Sequence, residues 1–302
     1  MKCNRIIGAV FILLLLQQTA AAQDLHFSQF MNSPLTTNPA NTGFIPEADY
    51  RIGGNFRSQW TSIPVPYKTA SVWGDVQILR NKIDNGWVGV GALLLNDVAG
   101  RGNLRSNKVY ASVAYHQMLG YSSLLSIGFT GGYISKRIDI AKLSFDNQWN
   151  GQFFDATIPS NEPFAFSQTS YADLQAGINY AYFASDKFYL NAGLSAQHIN
   201  RPRESFFDPL VSDASIDMRY TAFLNASLKI GEAWIVNPNL YVSKMNTASE
   251  LVLGVNANRD LSGDGSRQMI LGLYMRNGDA VIPVFGFQLN DTRFTFNYDA
   301  TV

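Results

Sequence analysis

The sequence predicts an exported all-β protein. The expected fold is a transmembrane antiparallel β-barrel, with about 14 strands in the complete protein and a short N-terminal periplasmic or plug segment. Three observations carry this reading. The chain opens with an export signal, its composition is poor in charge and rich in aromatics and glycine, and most of its length alternates polar with apolar residues.

The signal comes first. Lys2 and Arg5 give a positive start, Ile6 to Leu16 an uncharged apolar core, and Ala20, Ala21 and Ala22 the small residues that signal peptidase needs. Residues 1–22 therefore read as a signal peptide cleaved before Gln23. Its apolar core is too short for a spanning helix, which takes about 20 apolar residues. Cys3, the single cysteine, lies inside the signal, so the mature chain offers no disulfide, thiolate nucleophile or cysteine metal site. A cysteine ahead of the apolar core is also misplaced for lipid attachment.

Composition narrows the class. Charged residues are 15% of the chain and aromatics 13%, with zero formal net charge. Soluble domains carry about 25% charged residues. Mean hydropathy is near zero, and no long apolar run follows the signal, which excludes a helical membrane protein. Apolar residues spread thinly suit a wall in which every second side chain meets lipid. The neutral balance points to no nucleic-acid partner.

Residues 23–48, with Asn38-Pro39-Ala40, do not alternate and read as the periplasmic or plug segment. Residues 49–302 read as the barrel. Alternation is clearest in 172–182, 188–197, 234–243 and 293–300; in 188–197, Phe188, Leu190, Ala192, Leu194 and Ala196 oppose Tyr189, Asn191, Gly193, Ser195 and Gln197. Similar segments lie near 49–59, 67–79, 86–98, 106–118, 121–136, 218–230, 248–258, 266–276 and 280–289. Ser185-Asp186, Gly231-Glu232 and Asn277-Gly278 read as hairpin turns. Pro238 cannot donate a ladder hydrogen bond, so a bulge or break is expected there. A soluble β-sandwich also alternates. The polar faces here hold Asn, Gln, Ser, Thr and Gly rather than charge, which suits a wet lumen. Trp60, Trp73, Trp87, Tyr110, Tyr115, Phe188 and Trp234 are expected as interfacial girdles.

Two long loops interrupt the pattern. Residues 141–171 hold Trp149, Phe153, Phe154, Phe164 and Phe166, and residues 200–217 hold Arg201, Arg203, Phe206 and Phe207. Loops of this length in a compact domain are usually functional. Trp149, Phe153, Phe154 and Phe164 are the candidate partner contacts, because interface centres favour aromatic residues.

The sequence carries no recognisable catalytic motif. The histidines after the signal are His26, His116 and His198. His198 falls in register with the lipid-facing set of its strand, and no local motif pairs His116 with Ser112. No nucleophile elbow, His-Glu-x-x-His or P-loop occurs. Asp173, Asp279 and Asp299 are expected to pair with basic residues in the lumen or at its rim. No catalytic residue, metal or cofactor is assigned.

Several runs resemble a known family. The leading segment His26-Phe27-Ser28-Gln29-Phe30-Met31-Asn32-Ser33-Pro34-Leu35, then Asn38-Pro39-Ala40 and Gly43, comes first. Leu143-Ser144-Phe145-Asp146-Asn147-Gln148 and His198-Ile199-Asn200-Arg201-Pro202 follow. The strongest run is Leu271 to Pro283, through Arg276-Asn277-Gly278-Asp279, then Gly286 and Tyr298-Asp299. Together they resemble the PorP/SprF family of the type IX secretion system of the Bacteroidetes.

That resemblance implies an outer-membrane barrel working with the gliding and secretion machinery. It implies as partners a large secreted adhesin with a C-terminal sorting domain and ring or lipoprotein components of the machine. Asn38, Pro39, Gln148, Arg276, Asp279, Tyr298 and Asp299 are then positions for folding or docking. The residues alone leave a passive channel or hydrophobic-solute transporter open as a second function.

One departure stands out. Family members usually continue past the Tyr-Asp motif into a final strand, and about thirteen strands are legible where bacterial barrels have an even number. The expectation is that a last strand is missing here, or that another segment closes the seam.

Overall fold

The computed structural model describes residues 27–46, 48–60, 65, 67–208 and 214–302. The signal peptide, its cleavage site and His26 lie outside the described residues.

Alternating segments joined by short polar turns have one economical solution, a meander in which each strand pairs antiparallel with the next. The strands are β1 (Tyr50–Gln59), β2 (Tyr67–Ile83), β3 (Gly86–Ala99), β4 (Leu104–Met118) and β5 (Ser123–Arg137). Then come β6 (Gln168–Ser185), β7 (Phe188–Gln197), β8 (Arg219–Ile230), β9 (Trp234–Met245) and β10 (Ala248–Asp260). The last are β11 (Arg267–Arg276), β12 (Ala280–Leu289), β13 (Thr292–Asn297) and β14 (Ala300–Thr301). One sheet runs in chain order from β1 to β13, and β14 also pairs with β12. β13 and β14 keep a single register against β12, so they are two halves of one strand interrupted opposite Pro283.

Pro238 behaves as expected. The β8–β9 ladder stops at Asn225–Asn239 and resumes at Leu228–Val236, while β10 stays paired across the proline.

Connections divide the two ends of the sheet. One rim carries the spans 60–66, 100–103, 138–167 and 198–218; the other carries turns such as 84–85, 186–187, 231–233 and 290–291. We call these the long-loop rim and the short-turn rim.

The sheet is not closed among the described residues. Its edges, β1 and β13, both run from the short-turn rim to the long-loop rim. Antiparallel closure therefore needs a strand of opposite direction between them, as an odd strand count requires. Across this seam Arg57 Nη2 lies 3.8 Å from Asp299 Oδ2.

Side chains sort by face. Ile52, Phe56, Val72, Leu94, Phe129, Leu174, Leu194 and Phe285 point outward and are exposed, as a lipid-facing belt requires. The inward set is less uniformly polar than the alternation predicts. Trp73, Trp87 and Tyr110 are not girdle residues; they point into the lumen, where Trp73 and Tyr110 are buried and Trp87 is partly buried. Trp73 and Tyr110 each lie over a glycine on the neighbouring strand, Gly53 and Gly132, where any Cβ would meet the ring at 2.3 and 2.1 Å. Trp60, Tyr115 and Trp234 are exposed, as girdle positions should be.

Candidate functional site

The lumen is occupied by the protein's own N-terminal segment. A helical turn, α1 (Pro34–Thr37), and a tight turn at Pro39–Asn41 shorten the chain enough to pack inside. Ser28 sits at the long-loop rim beside Arg276 and Asp299, while the carbonyl of Ile45 meets Gln77 near the short-turn rim. The segment thus threads the lumen from one rim to the other.

Three apolar side chains anchor it. Phe30 packs among Phe223, Tyr241, Val252, Tyr274 and Ile282. Leu35 packs among Trp73, Leu93, Tyr110 and Ile134. Phe44 packs against Leu124 and Ala181. Each such burial is worth about 1.5–3 kcal/mol.

Between the anchors, Asn38 and Pro39 form a polar knot. Asn38 is fully buried, and its Nδ2 donates to the carbonyls of Ile178 (2.9 Å) and Leu194 (3.1 Å). Its Oδ1 accepts from Ala40 N at 2.8 Å, which starts the tight turn. The wall makes room with glycine. A Cβ on Gly177 would lie 2.0 Å from Asn38 Oδ1, and one on Gly128 would lie 2.4 Å from the Pro39 carbonyl.

Beyond the knot, wall side chains grip the main chain. His116 Nε2 lies 2.8 Å from the Thr42 carbonyl, which can only accept, so that nitrogen donates. Its Nδ1 is 2.7 Å from Ser126 Oγ, and the ring stacks on Trp87. Trp87 Nε1 donates to the Gly43 carbonyl, and Asp75 accepts from Gly43 N while pairing with Arg51. His116 thus does face a serine, but both ring nitrogens are engaged and the ring is fully buried.

A second cluster clasps the leading end. Arg276 Nη1 reaches Asp279 (2.7 Å), Nη2 reaches Asp299 (2.9 Å) and Ser28 Oγ (2.7 Å), and Nε reaches Glu250 (3.2 Å). Ser28 Oγ in turn donates to Asp299 at 2.7 Å. The structure therefore brings Arg276, Asp279 and Asp299 together with the leading segment. Tyr298 is not among them; it points outward and is 72% exposed. Glu250 was missed from the sequence, although it lies on the inward parity of β10.

His198 departs from its expected place. β7 ends at Gln197, and His198 takes a left-handed backbone (φ 56°) that swings the ring inward. It is buried, with Nδ1 2.8 Å from Asp173 Oδ1. The loop behind it caps the lumen: Ile216 joins the cluster around Leu35, and Glu204 binds Lys136 and Tyr171.

The other long loop stands at the same rim. Gln148 is buried and folds it, accepting from Phe145 N and donating to the Ile158 carbonyl, both at 3.0 Å. Trp149, Phe153 and Phe154 remain about half exposed, with Trp149 edge-on to Phe154. Phe164 differs from them: it stacks on Phe207 at 5.1 Å and ties the two loops together.

Comparisons with known proteins fit this architecture. A family model described as "Type IX secretion system membrane protein PorP/SprF" matches residues 19–302. Two similar solved structures are mutants of the TodX monoaromatic hydrocarbon channel. The deltaS2 mutant is 9% identical, covers 89% of this chain and 88% of its own, and has a TM-score of 0.54. The deltaS2S3 mutant is 8% identical, covers 88% of each chain and has a TM-score of 0.51. At such identities the likeness is one of fold, that of outer-membrane barrels. No curated protein matches the chain.

Proposed function

Because the chain belongs to the PorP/SprF family of type IX secretion system membrane proteins, we propose that it is a non-enzymatic outer-membrane component of that machinery. In this reading a cleaved signal exports it, and it supports export and surface display of a partner adhesin bearing a C-terminal sorting domain. Ring or lipoprotein components of the machine are its other partners.

The observation that carries the reading beyond family membership is the filled lumen. Residues 27–45 thread it and His198, Glu204 and Ile216 cap it, which suits a docking platform better than a conduit. A passive channel would need that segment to leave. Outer-membrane barrels carry long loops outside and short turns on the periplasmic side, so the aromatic loops face the cell exterior in this reading.

The decisive experiment is deletion of the gene in the native organism, with proteomics of the cell surface and culture fluid. Loss of one or a few large adhesins is the expected result. Loss of every exported protein would make it a core part of the machine, and an unchanged secretome would overturn the proposal. A finer test removes residues 146–165. That segment lies outside the strands, so the barrel should fold, while the exposed Trp149, Phe153 and Phe154 are lost. Surface display of the cargo should be abolished; normal display would exclude the loop as the contact.

A further inference from the structure

The outward wall of β2 to β5 carries a concentration of positive charge at the long-loop rim. Register sets Lys68 opposite Val98, Val98 opposite Arg105, and Arg105 opposite Arg137, all on the lipid-facing side. Arg101, in the turn between β3 and β4, adds a fourth exposed cation. Neighbouring strands lie about 4.8 Å apart, so the row from Lys68 to Arg137 spans about 14 Å.

No carboxylate answers this charge. The side chains of Lys68, Arg101, Arg105 and Arg137 make no hydrogen bond or ion pair with a described residue. The acidic residues of β2 to β5 are Asp75 and Asp97, and both turn inward. Asp75 is engaged by Arg51 and Gly43, and Asp97 by Thr69. Asp139, in the adjoining loop, pairs with Lys142. Cations at the short-turn rim are treated differently: Arg80 lies beside Asp49, and Lys229 beside Glu232. Like charges directly opposite on a sheet repel, so the Arg105–Arg137 pair is relieved by an anion held between them.

The rows beneath continue the chemistry of an amphiphile. Next along the strands come Asn96, Asn107, Ser135 and Ser170, set side by side and facing outward. Below them Val72, Leu94, Val109 and Tyr133 form an exposed apolar row. Lys68 and Val72 are about 13 Å apart along their strand. Paired guanidinium groups match phosphate oxygens, amides and hydroxyls match sugar hydroxyls, and the apolar row matches acyl chains. An acidic soluble protein would meet the first row only, because the others belong to the lipid-facing wall. A simple phospholipid offers little to the middle row.

We propose that the outward face of β2 to β5 at the long-loop rim binds a phosphorylated glycolipid, the lipopolysaccharide class of the outer leaflet. The leaflet rests on the outer-membrane reading above, in which the long loops face outside. The secretion role plays no part in it. Among the described residues of β6 to β13, the outward cation near that rim is Lys244, so the site occupies one sector of the wall.

The test is native mass spectrometry of the full-length protein in a nonionic detergent. The probes are diphosphoryl lipid A, its dephosphorylated form and phosphatidylglycerol. Diphosphoryl lipid A should bind best. Arg105→Gln or Arg137→Gln should weaken it about tenfold each, and the double variant about 100-fold, as loss of charged hydrogen bonds would. Lys244→Gln should leave it unchanged. In lipid-free detergent the double variant should melt no lower than the parent, because it relieves a repulsion. Arg105→Lys with Arg137→Lys, which keeps the charge and loses the fork, serves if the glutamine variant does not assemble; its affinity should fall between the two.

Equal binding of the dephosphorylated lipid or of phosphatidylglycerol would overturn the proposal, as would an unchanged affinity in the double variant. The leaflet is read separately. Cys3 is the single cysteine and lies in the signal, so Gln152→Cys offers one thiol on the exposed loop. A membrane-impermeant maleimide should label it in intact cells. Labelling only after permeabilisation would overturn the orientation, and with it the glycolipid as native occupant, while the affinities in detergent would stand.

Discussion

Gly177→Val is expected to unseat the N-terminal segment while leaving the barrel assembled. The added Cβ would stand 2.0 Å from Asn38 Oδ1, and valine brings two further methyl groups. Asn38 has nowhere to retreat. Its amide is held by the carbonyls of Ile178 and Leu194, and Pro39 already rests against Gly128. If Asn38 leaves, buried polar groups on both sides lose partners, at about 1–3 kcal/mol each. The total should be about 3–6 kcal/mol of docking free energy, by the same per-group cost. The outward faces of β6 and β7 are untouched, so the lipid-facing belt should persist. Proteolysis should then cleave within residues 27–45, and planar-bilayer recordings should show conductance where the parent protein is closed. Asn38→Ala, which removes the bonds without the clash, should act in the same direction and less strongly. Native protease resistance in Gly177→Val would mean that the knot is not what holds the segment.

Arg276→Met should be the second most damaging single change. The guanidinium serves three carboxylates at once, Glu250, Asp279 and Asp299, and also holds Ser28. Removing it takes a cation from Glu250, whose side chain is only 5% exposed. Breaking a buried pair from one side typically costs about 3–5 kcal/mol, because the remaining charge stays desolvated. Methionine keeps most of the volume, so the loss is electrostatic rather than a cavity. The midpoint of urea unfolding in detergent should fall, and Arg276→Met with Glu250→Gln should recover part of the loss. Additive losses in the double variant would separate Glu250 from the clasp.

Much of the wall was legible in the sequence because period two is a local signal. The segments 188–197 and 280–289 match β7 and β12 residue for residue. The interrupted ladder at Pro238 followed from its missing N–H. The side that each aromatic takes was less legible. Trp73 and Tyr110 sit inside because the lumen is filled, so the inward face must also be apolar where Leu35 rests. Alternation gives two faces, but it does not say that a distant segment will line one of them. Their glycine partners, Gly53 and Gly132, lie on the neighbouring strands and were the available clue.

His198 escaped the reading for a different reason. A single left-handed residue after β7 reversed the parity that the strand had set. The clasp was half legible. Arg276, Asp279, Tyr298 and Asp299 stood out as motif positions. That two of them, Arg276 and Asp299, would meet Ser28, 248 residues away from Arg276 in sequence, is a tertiary fact.

The threaded segment also sets the order in which the molecule can assemble. Ser28 is among the first described residues to leave the ribosome, and its partner Asp299 is among the last, 271 positions later. The inner clusters of the wall are complete only once Phe30, Leu35 and Phe44 have seated in them. The early segment must therefore wait, extended, until the late strands arrive, and loop closure over such a distance is entropically slow. The segment behaves as a bolt slid home into a wall already paired, and the ring of charge around Arg276 is the fastening made last.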